Sequence, residues 1–302
     1  MVSRPFQFCR YEIRLGDEVL NATGQRSFFL ENQGIPVPYK SWGSEQDDSS
    51  IRIMEPRTLA VSGYDAISAL IGLQPGVRTV IGYDSENQKR TRADTPDAHI
   101  KTAHLVLVPD LNAIAIQDRN NDLCIPASTA TRIMRAMIRG FFGNDSDFSL
   151  VRLSNAEIRN AMEQWALTEY SYTIRPLNPV TLSDLTNLRS DKMKDENIAR
   201  ESAKLKSGEG EAMHANGGPI SQTQEMVEEG YGQNGFSGVT PDGHKGVIPK
   251  PAFHMEKEKN LAEQAKPRPV RMAFDVEDYD AEEHDLSPTI AQALVNFFGP
   301  NG

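Results

Sequence analysis

The chain has 302 residues, a formal charge of -10, 38% hydrophobic residues and a mean hydropathy of -0.49. That length accommodates one large or two moderate domains, while the polarity implies that part of the chain is exposed loop or tail. The acidity excludes a protein that coats nucleic acid with its whole surface, but 19 basic against 21 acidic residues up to Val180, then 13 against 21, leave room for a local basic patch in the first half.

Two cysteines, Cys9 and Cys124, cannot make a disulfide framework, and no Cys/His cluster has zinc-ligand spacing, so no metal or cofactor is expected. The first ten residues lack the apolar core of a secretory signal and no run reaches transmembrane length. A cytoplasmic setting without membrane contact is therefore expected.

Phe6 to Leu15 alternates apolar and polar residues, with a slip near Cys9-Arg10, and reads as a first strand; Ser27 to Leu30 reads as a second. Gly, Pro, Ser and Asp mark Asn32 to Ser50 as surface loop, in which Trp42 is expected to fold back onto the core. Thr58–Val61, Tyr64–Leu73 and Val77–Ile81 read as strand, short helix and strand. Gly63 marks a turn, and the several glycines of a phosphate loop are missing. Lys89-Arg90-Thr91-Arg92, the densest basic cluster, lies in the polar linker Asp84 to Asp97 and is expected to be a solvated hairpin tip unless further cations converge on it.

His104–Val108, the turn residues Pro109–Asn112 and Ala113–Gln117 predict a buried antiparallel hairpin. Beyond the polar loop Asp118–Asp122, Ser128 or Thr129 is expected to cap a helix. At 100° per residue Ile133, Met134, Met137, Ile138 and Phe141 share one face and Arg132, Arg135 and Arg139 form a ridge on the other, with Gly140 and Gly143 as the stop. Phe148–Leu153 reads as a strand. Ser154 and Glu157 then form a capping box, and Ile158, Met162 and Trp165 follow as a buried stripe at i, i+4 and i+7. Tyr170–Ile174 is a strand broken by Pro176 and Pro179. These elements predict an α+β core domain over residues 1–180, a mostly antiparallel sheet with helices on one face.

Residues 181–276 form a mixed charged and Gly-rich region. Asp184 to Lys206 fits a solvated helix, while Glu201 to Ser207 fits an edge strand equally well. Ser207–Gly218 is loop, Ser221–Glu229 a short helix ending at Gly230, and Tyr231–Ile248 a Gly-rich β-hairpin turning at Thr240-Pro-Asp-Gly243. Pro267–Val276 reads as a last strand. Residues 277–302 form an acidic C-terminal tail: the run Glu277–Asp285, then a short helix capped by Ser287, with Pro288 at its first position and Gly299-Pro300 as its stop. Standing alone, this helix would expose Ile290, Leu294, Phe297 and Phe298. It is therefore predicted to dock on a protein partner or on a second copy of the chain.

Arg175-Pro-Leu-Asn-Pro179 after a strand, followed by Glu228-Glu-Gly-Tyr-Gly232 and a Gly-rich hairpin, resembles uncharacterised bacterial proteins found among phage and mobile-element genes, over about residues 103–248. The resemblance implies a fold and a genetic context, and no activity for any residue.

Three functions follow as expectations. The first is an interaction or regulatory protein of a bacterial or phage assembly, related to defence or mobile elements and expected not to be an enzyme. The second is a metal-dependent nucleic-acid hydrolase using Asp97, His99 and Asp110, drawn from the acid/histidine grouping Asp94, Asp97, His99 and His104. The spacing of His99 and His104 fits neither a helical pair nor one face of a strand, and Gln117-Asp118-Arg119 replaces the carboxylate and lysine such an enzyme needs, so the first function is preferred. The third is a nucleic-acid-binding module in which Lys89, Arg90, Arg92, Arg132, Arg135 and Arg139 hold phosphates.

Overall fold

A computed structural model describes residues 2–39, 49–74, 77–84, 89–96, 100–118, 124–176, 183–215, 218–251, 268–276 and 286–300. The fold is α+β, with six α-helices among the described residues and a large, mostly antiparallel sheet. The chain forms two compact units. Unit 1 comprises residues 1–6, 10–150 and 276–295, and unit 2 comprises residues 7–9, 151–275 and 296–302.

In unit 1 the elements are β1 (Val2–Leu15), β2 (Glu18–Val19), α1 (Ala22–Glu31), β3 (Val37–Pro38), β4 (Ser50–Val61), β5 (Tyr64–Gln74), β6 (Val77–Asp84), β7 (Lys89–Pro96), β8 (Lys101–Val108), β9 (Ala113–Gln117), α2 (Ala127–Phe142) and β10 (Ser146–Val151). Strand order runs β1-β9-β8-β5-β4-β3, with β2 and β10 also on β1 and β6-β7 as a separate pair. The predicted hairpin is present: β8 and β9 pair antiparallel from Leu105 opposite Ile116 to Val108 opposite Ala113, and every residue of β9 is buried. Asn112 takes the left-handed turn conformation between them, which an Asn side chain tolerates.

Two elements differ from their sequence reading. Ser27–Leu30 is helical, inside α1, because the Asn21 side chain accepts from the Gly24 amide at 2.8 Å and caps a helix whose Phe28 and Phe29 are buried. Tyr64–Leu73 is strand β5. It lies between β4 and β8 and is buried on both faces, so its apolar run shows no period of two. Ser62 and Gly63, both at positive φ, make the tight β4–β5 turn. The Lys89–Arg92 cluster opens strand β7, with Lys89 opposite Asp84, Arg90 opposite Tyr83 and Arg92 opposite Ile81.

Helix α2 starts at Ala127 after Pro126, without a side-chain cap from Ser128 or Thr129. It buries Ile133, Met134, Met137 and Ile138 and ends at Gly143, at φ 98°. Gly140 lies inside the helix, where a Cβ would collide with Val37 of β3; close packing explains it better than termination. Trp42 lies outside the described residues.

Unit 2 contains α3 (Asn155–Gln164), β11 (Ala166–Ile174), α4 (Asp184–Asp195), β12 (Glu201–Lys206), α5 (Pro219–Glu228), β13 (Gly232–Val239), β14 (Lys245–Ile248) and β15 (Val270–Val276), so that α3 and β11, which precede Val180, belong to it. Strand order is β12-β11-β13-β14-β15. Both readings of Asp184–Lys206 hold in part: α4 is followed by β12, an edge strand of alternating burial. The Ser154–Glu157 capping box is formed in both directions. Ile158, Met162 and Trp165 are buried, and the Trp165 ring packs against Phe236 at 5.6 Å and over Gly246, where no side chain would fit. The last helix, α6 (Ser287–Phe298), follows residue 286.

Candidate anion-binding site

Four separate stretches of unit 2 line one polar cavity of about 120 Å³: Arg152 and Asn155, between β10 and the first turn of α3; Glu228, Gly230, Gly232 and Gln233, where α5 turns into β13; Pro251; and Arg268. The α5–β13 turn is tight for steric reasons. Gly230 sits at φ 82° to end the helix, and a Cβ on Gly232 would come within 2.7 Å of the Thr173 carbonyl oxygen. The chain can therefore lay Gln233 on the cavity wall one residue into the strand.

The polar groups around this cavity are incompletely paired. Gln233 is 3% exposed and neither its Oε1 nor its Nε2 has a hydrogen-bond partner. Arg268 is 6% exposed; its Nη2 donates to the carbonyls of Asn234 at 2.6 Å and Pro249 at 3.2 Å, which fixes the guanidinium, but its Nε is unpaired. Burial, then the positive charge of Arg152, lowers Arg268 to about 10, and burial lowers Arg152 as well. Both remain cationic at neutral pH, two like charges facing one small polar space. A buried polar group without a partner costs free energy, and a guanidinium costs more, so the arrangement is complementary to a negatively charged guest.

An adjoining cavity of about 340 Å³ is lined by Arg159, Met162, Glu163, Ala215, Ser221, Gln224, Glu225 and Glu228. Its central acids are already engaged. Glu225 accepts from the Ser183 and Thr186 hydroxyls, both at 2.6 Å, and Glu228 accepts from Gln224 at 2.8 Å and from Arg159. Glu228 thus borders both cavities with its charge balanced by Arg159.

The residues expected from sequence to do chemistry are distributed otherwise. Asp110 is tied to Arg26 of α1 at 2.9 Å and is not free to hold a metal; Asp97 and His99 lie outside the described residues. Among the described residues no cluster of three or more His, Cys, Asp or Glu could hold a metal ion. His104 is in the core, with its Nε2 2.9 Å from Ser68 Oγ and 3.0 Å from Ser287 Oγ, and the two hydroxyls 2.7 Å apart. Cys124 is a buried free thiol, as is Cys9, which burial pushes up to about 12.

The arginine ridge is partly neutralised. Arg135 and Arg139 both reach Asp147, at 2.8 and 3.2 Å, and donate to the Phe148 and Ser146 carbonyls of β10, while Arg132 donates to the Thr129 hydroxyl. Lys89, Arg90 and Arg92 are placed by their backbone alone, in β7. The proposed docking face of the last helix is also taken up within the chain. Ile290 and Leu294 are fully buried, Phe298 is 4% exposed and Phe297 packs at 6.2 Å from Trp165, so these side chains are not a free surface for a partner.

Sequence reasoning missed Arg152, Gln233 and Arg268. The nearest legible sign was Glu228-Glu-Gly-Tyr-Gly232, of which Glu228, Gly230 and Gly232 all line the cavity. No family model, curated protein or solved structure matches the chain. No helix among the described residues is long and apolar enough to cross a membrane.

Proposed function

We propose that the protein is an interaction or regulatory protein whose unit 2 binds a small anion, and that occupancy of the Arg152–Arg268–Gln233 cavity is what it reports. The observation that carries this reading is the convergence of Arg152 and the largely buried Arg268, close enough for the charge of one to lower the pKa of the other, on one small polar cavity. A ligand that binds only the folded state raises its stability by mass action, which gives the test. The full chain is melted in a panel of sodium salts at constant ionic strength, with chloride as reference. At least one oxyanion should raise the midpoint in a saturable manner, and Arg152→Glu, which reverses the charge of an exposed lining residue, should remove the shift. A parent protein that responds to no anion would reject the reading. Against the hydrolase alternative stands the ion pair of Asp110 with Arg26, and against the nucleic-acid alternative the sharing of Asp147 by Arg135 and Arg139.

A further inference from the structure

Arg268 and Arg152 meet the cavity in different ways. Arg268 is pinned: Nη2 is occupied by the Asn234 and Pro249 carbonyls and Nε is enclosed, which leaves Nη1 as the nitrogen that is neither paired nor enclosed. Nη1 therefore presents the charge of a residue only 6% exposed to the space that this residue lines. Arg152 is exposed and lies on the same wall. Burial and the charge of Arg152 lower Arg268, burial lowers Arg152, and no carboxylate raises either one back. Among the described residues, neither guanidinium has an acid as its counter-ion.

Charge then narrows the guest. Glu228 is the acid on the wall and is already paired with Arg159, so the lining is left with two positive charges. A singly charged anion would neutralise one of them and leave the other uncompensated across a small space. A doubly charged anion neutralises both. Size is bounded too: about 120 Å³ holds one tetrahedral oxyanion with a little water, or the terminal group of a longer molecule. We infer that the Arg152–Arg268 cavity selects doubly charged tetrahedral oxyanions over singly charged anions such as carboxylates, whether the oxyanion is a free ion or the phosphoryl end of a monoester. The inference rests on the anion-binding reading above and adds the charge that the site reads.

Because water screens the exposed Arg152, the preference is expected to be about tenfold, the effect of one partly screened charge. A phosphate monoester tests it within one molecule, since a second pKa of about 6 turns the monoanion into a dianion of the same shape. Titration calorimetry on the full chain at constant ionic strength would measure methyl phosphate, inorganic phosphate, sulfate and acetate at pH 5 and pH 7.5. A tenfold preference makes methyl phosphate bind roughly fivefold more tightly at the higher pH. Sulfate, a dianion at both values, controls for titration of the protein itself and should hold its affinity to within about twofold. Acetate should bind about tenfold more weakly than sulfate at pH 7.5. Arg152→Gln should leave methyl phosphate indifferent to pH, and Arg152→Lys, which keeps the charge, should retain the dependence. A melting curve for each variant shows that it is folded.

With the assignment upheld, inorganic phosphate binding more tightly than methyl phosphate identifies the guest as the free ion, and equal binding identifies it as the phosphoryl group of a larger molecule. Methyl phosphate with the same affinity at both pH values, acetate as tight as sulfate, or a pH dependence lost in Arg152→Lys would each overturn the dianion assignment while leaving the anion-binding reading in place. If none of the four binds to the parent protein the assignment is also overturned, and the wider anion panel then decides whether the anion-binding reading fails with it.

Discussion

Gln25 in unit 1 and Gln233 in unit 2 are buried alike, at 0% and 3% exposure, yet their polar ends are used differently. Gln25 Oε1 accepts from the Tyr11 hydroxyl at 2.5 Å, and its Nε2 donates to the Leu20 carbonyl at 2.7 Å and to Asn112 Oδ1 at 3.2 Å. That amide ties β1 to the start of α1 and to the β8–β9 turn. Gln233 ties nothing, because neither end is paired. The fully buried Ser68, His104 and Ser287 of unit 1 likewise satisfy one another, whereas in unit 2 the unpaired Nε of Arg268 lies on the same cavity as Gln233. Since an unpaired buried group costs about 1–3 kcal/mol, the two glutamines differ in what they do for the fold: Gln25 contributes to it and Gln233 burdens it.

The largest effect should come from removing a closed element. A chain ending before Ser287 loses Ser287 itself and Ile290, Ala291 and Leu294, all fully buried. Losing a single such Leu or Ile side chain costs about 2–5 kcal/mol, against a net stability of about 5–15 kcal/mol for a whole domain. The truncated chain should therefore lose its cooperative melting transition. An unchanged transition would mean that α6 is an appendage, as its sequence alone had implied, and that unit 1 is not closed by it.

Next come the two glutamines, each replaced by the apolar residue nearest in size. Gln25→Leu leaves the Tyr11 hydroxyl, the Leu20 carbonyl and Asn112 short of a partner and should destabilise by about 3 kcal/mol in urea unfolding. Gln233→Leu removes two unpaired groups and should raise stability by about 1–2 kcal/mol in the absence of ligand, the usual trade between stability and function at a binding site. If both substitutions destabilise equally, Gln233 is structural and the distinction between the two glutamines collapses.

What the sequence disclosed depended on how local the causes were. The β8–β9 hairpin and the Ser154–Glu157 capping box were legible because turn and cap chemistry act within a few residues. Strand β5 was not, since only its position between β4 and β8 buries both faces of Ala66–Ile71, and a run buried all round has no diagnostic period. Helix α1 was missed because Phe28-Phe29-Leu30 has the composition of a strand, and the Asn21 cap that decides the matter stands outside that run. The cavity was the least accessible. Arg152, Gln233 and Arg268 come from three distant stretches, none carries a motif, and their common property, a place on one cavity, is a fact of packing.

The smallest effect concerns a polar cluster of unit 2 that, unlike Gln233, is paired. At its edge Arg189 of α4 donates to the Tyr172 hydroxyl at 2.7 Å and to Glu201 of β12, and the same hydroxyl donates to Glu201 at 2.5 Å. This cluster is closed in the manner of the Gln25 site. Burial pushes the Glu201 carboxyl up, but the hydrogen bonds and charge of Arg189 and the hydroxyl of Tyr172 outweigh it and hold the group below its ordinary 4.5. A carboxyl depressed in the folded state favours folding above its ordinary pKa, and that contribution disappears as the pH falls through the folded value. Glu201→Gln should therefore be less stable than the parent at pH 7, and the difference in urea midpoint should shrink steadily below about pH 4.5 as the parent's carboxylate is protonated. A difference that stays constant down to pH 3 would mean that the charge of Glu201 contributes nothing.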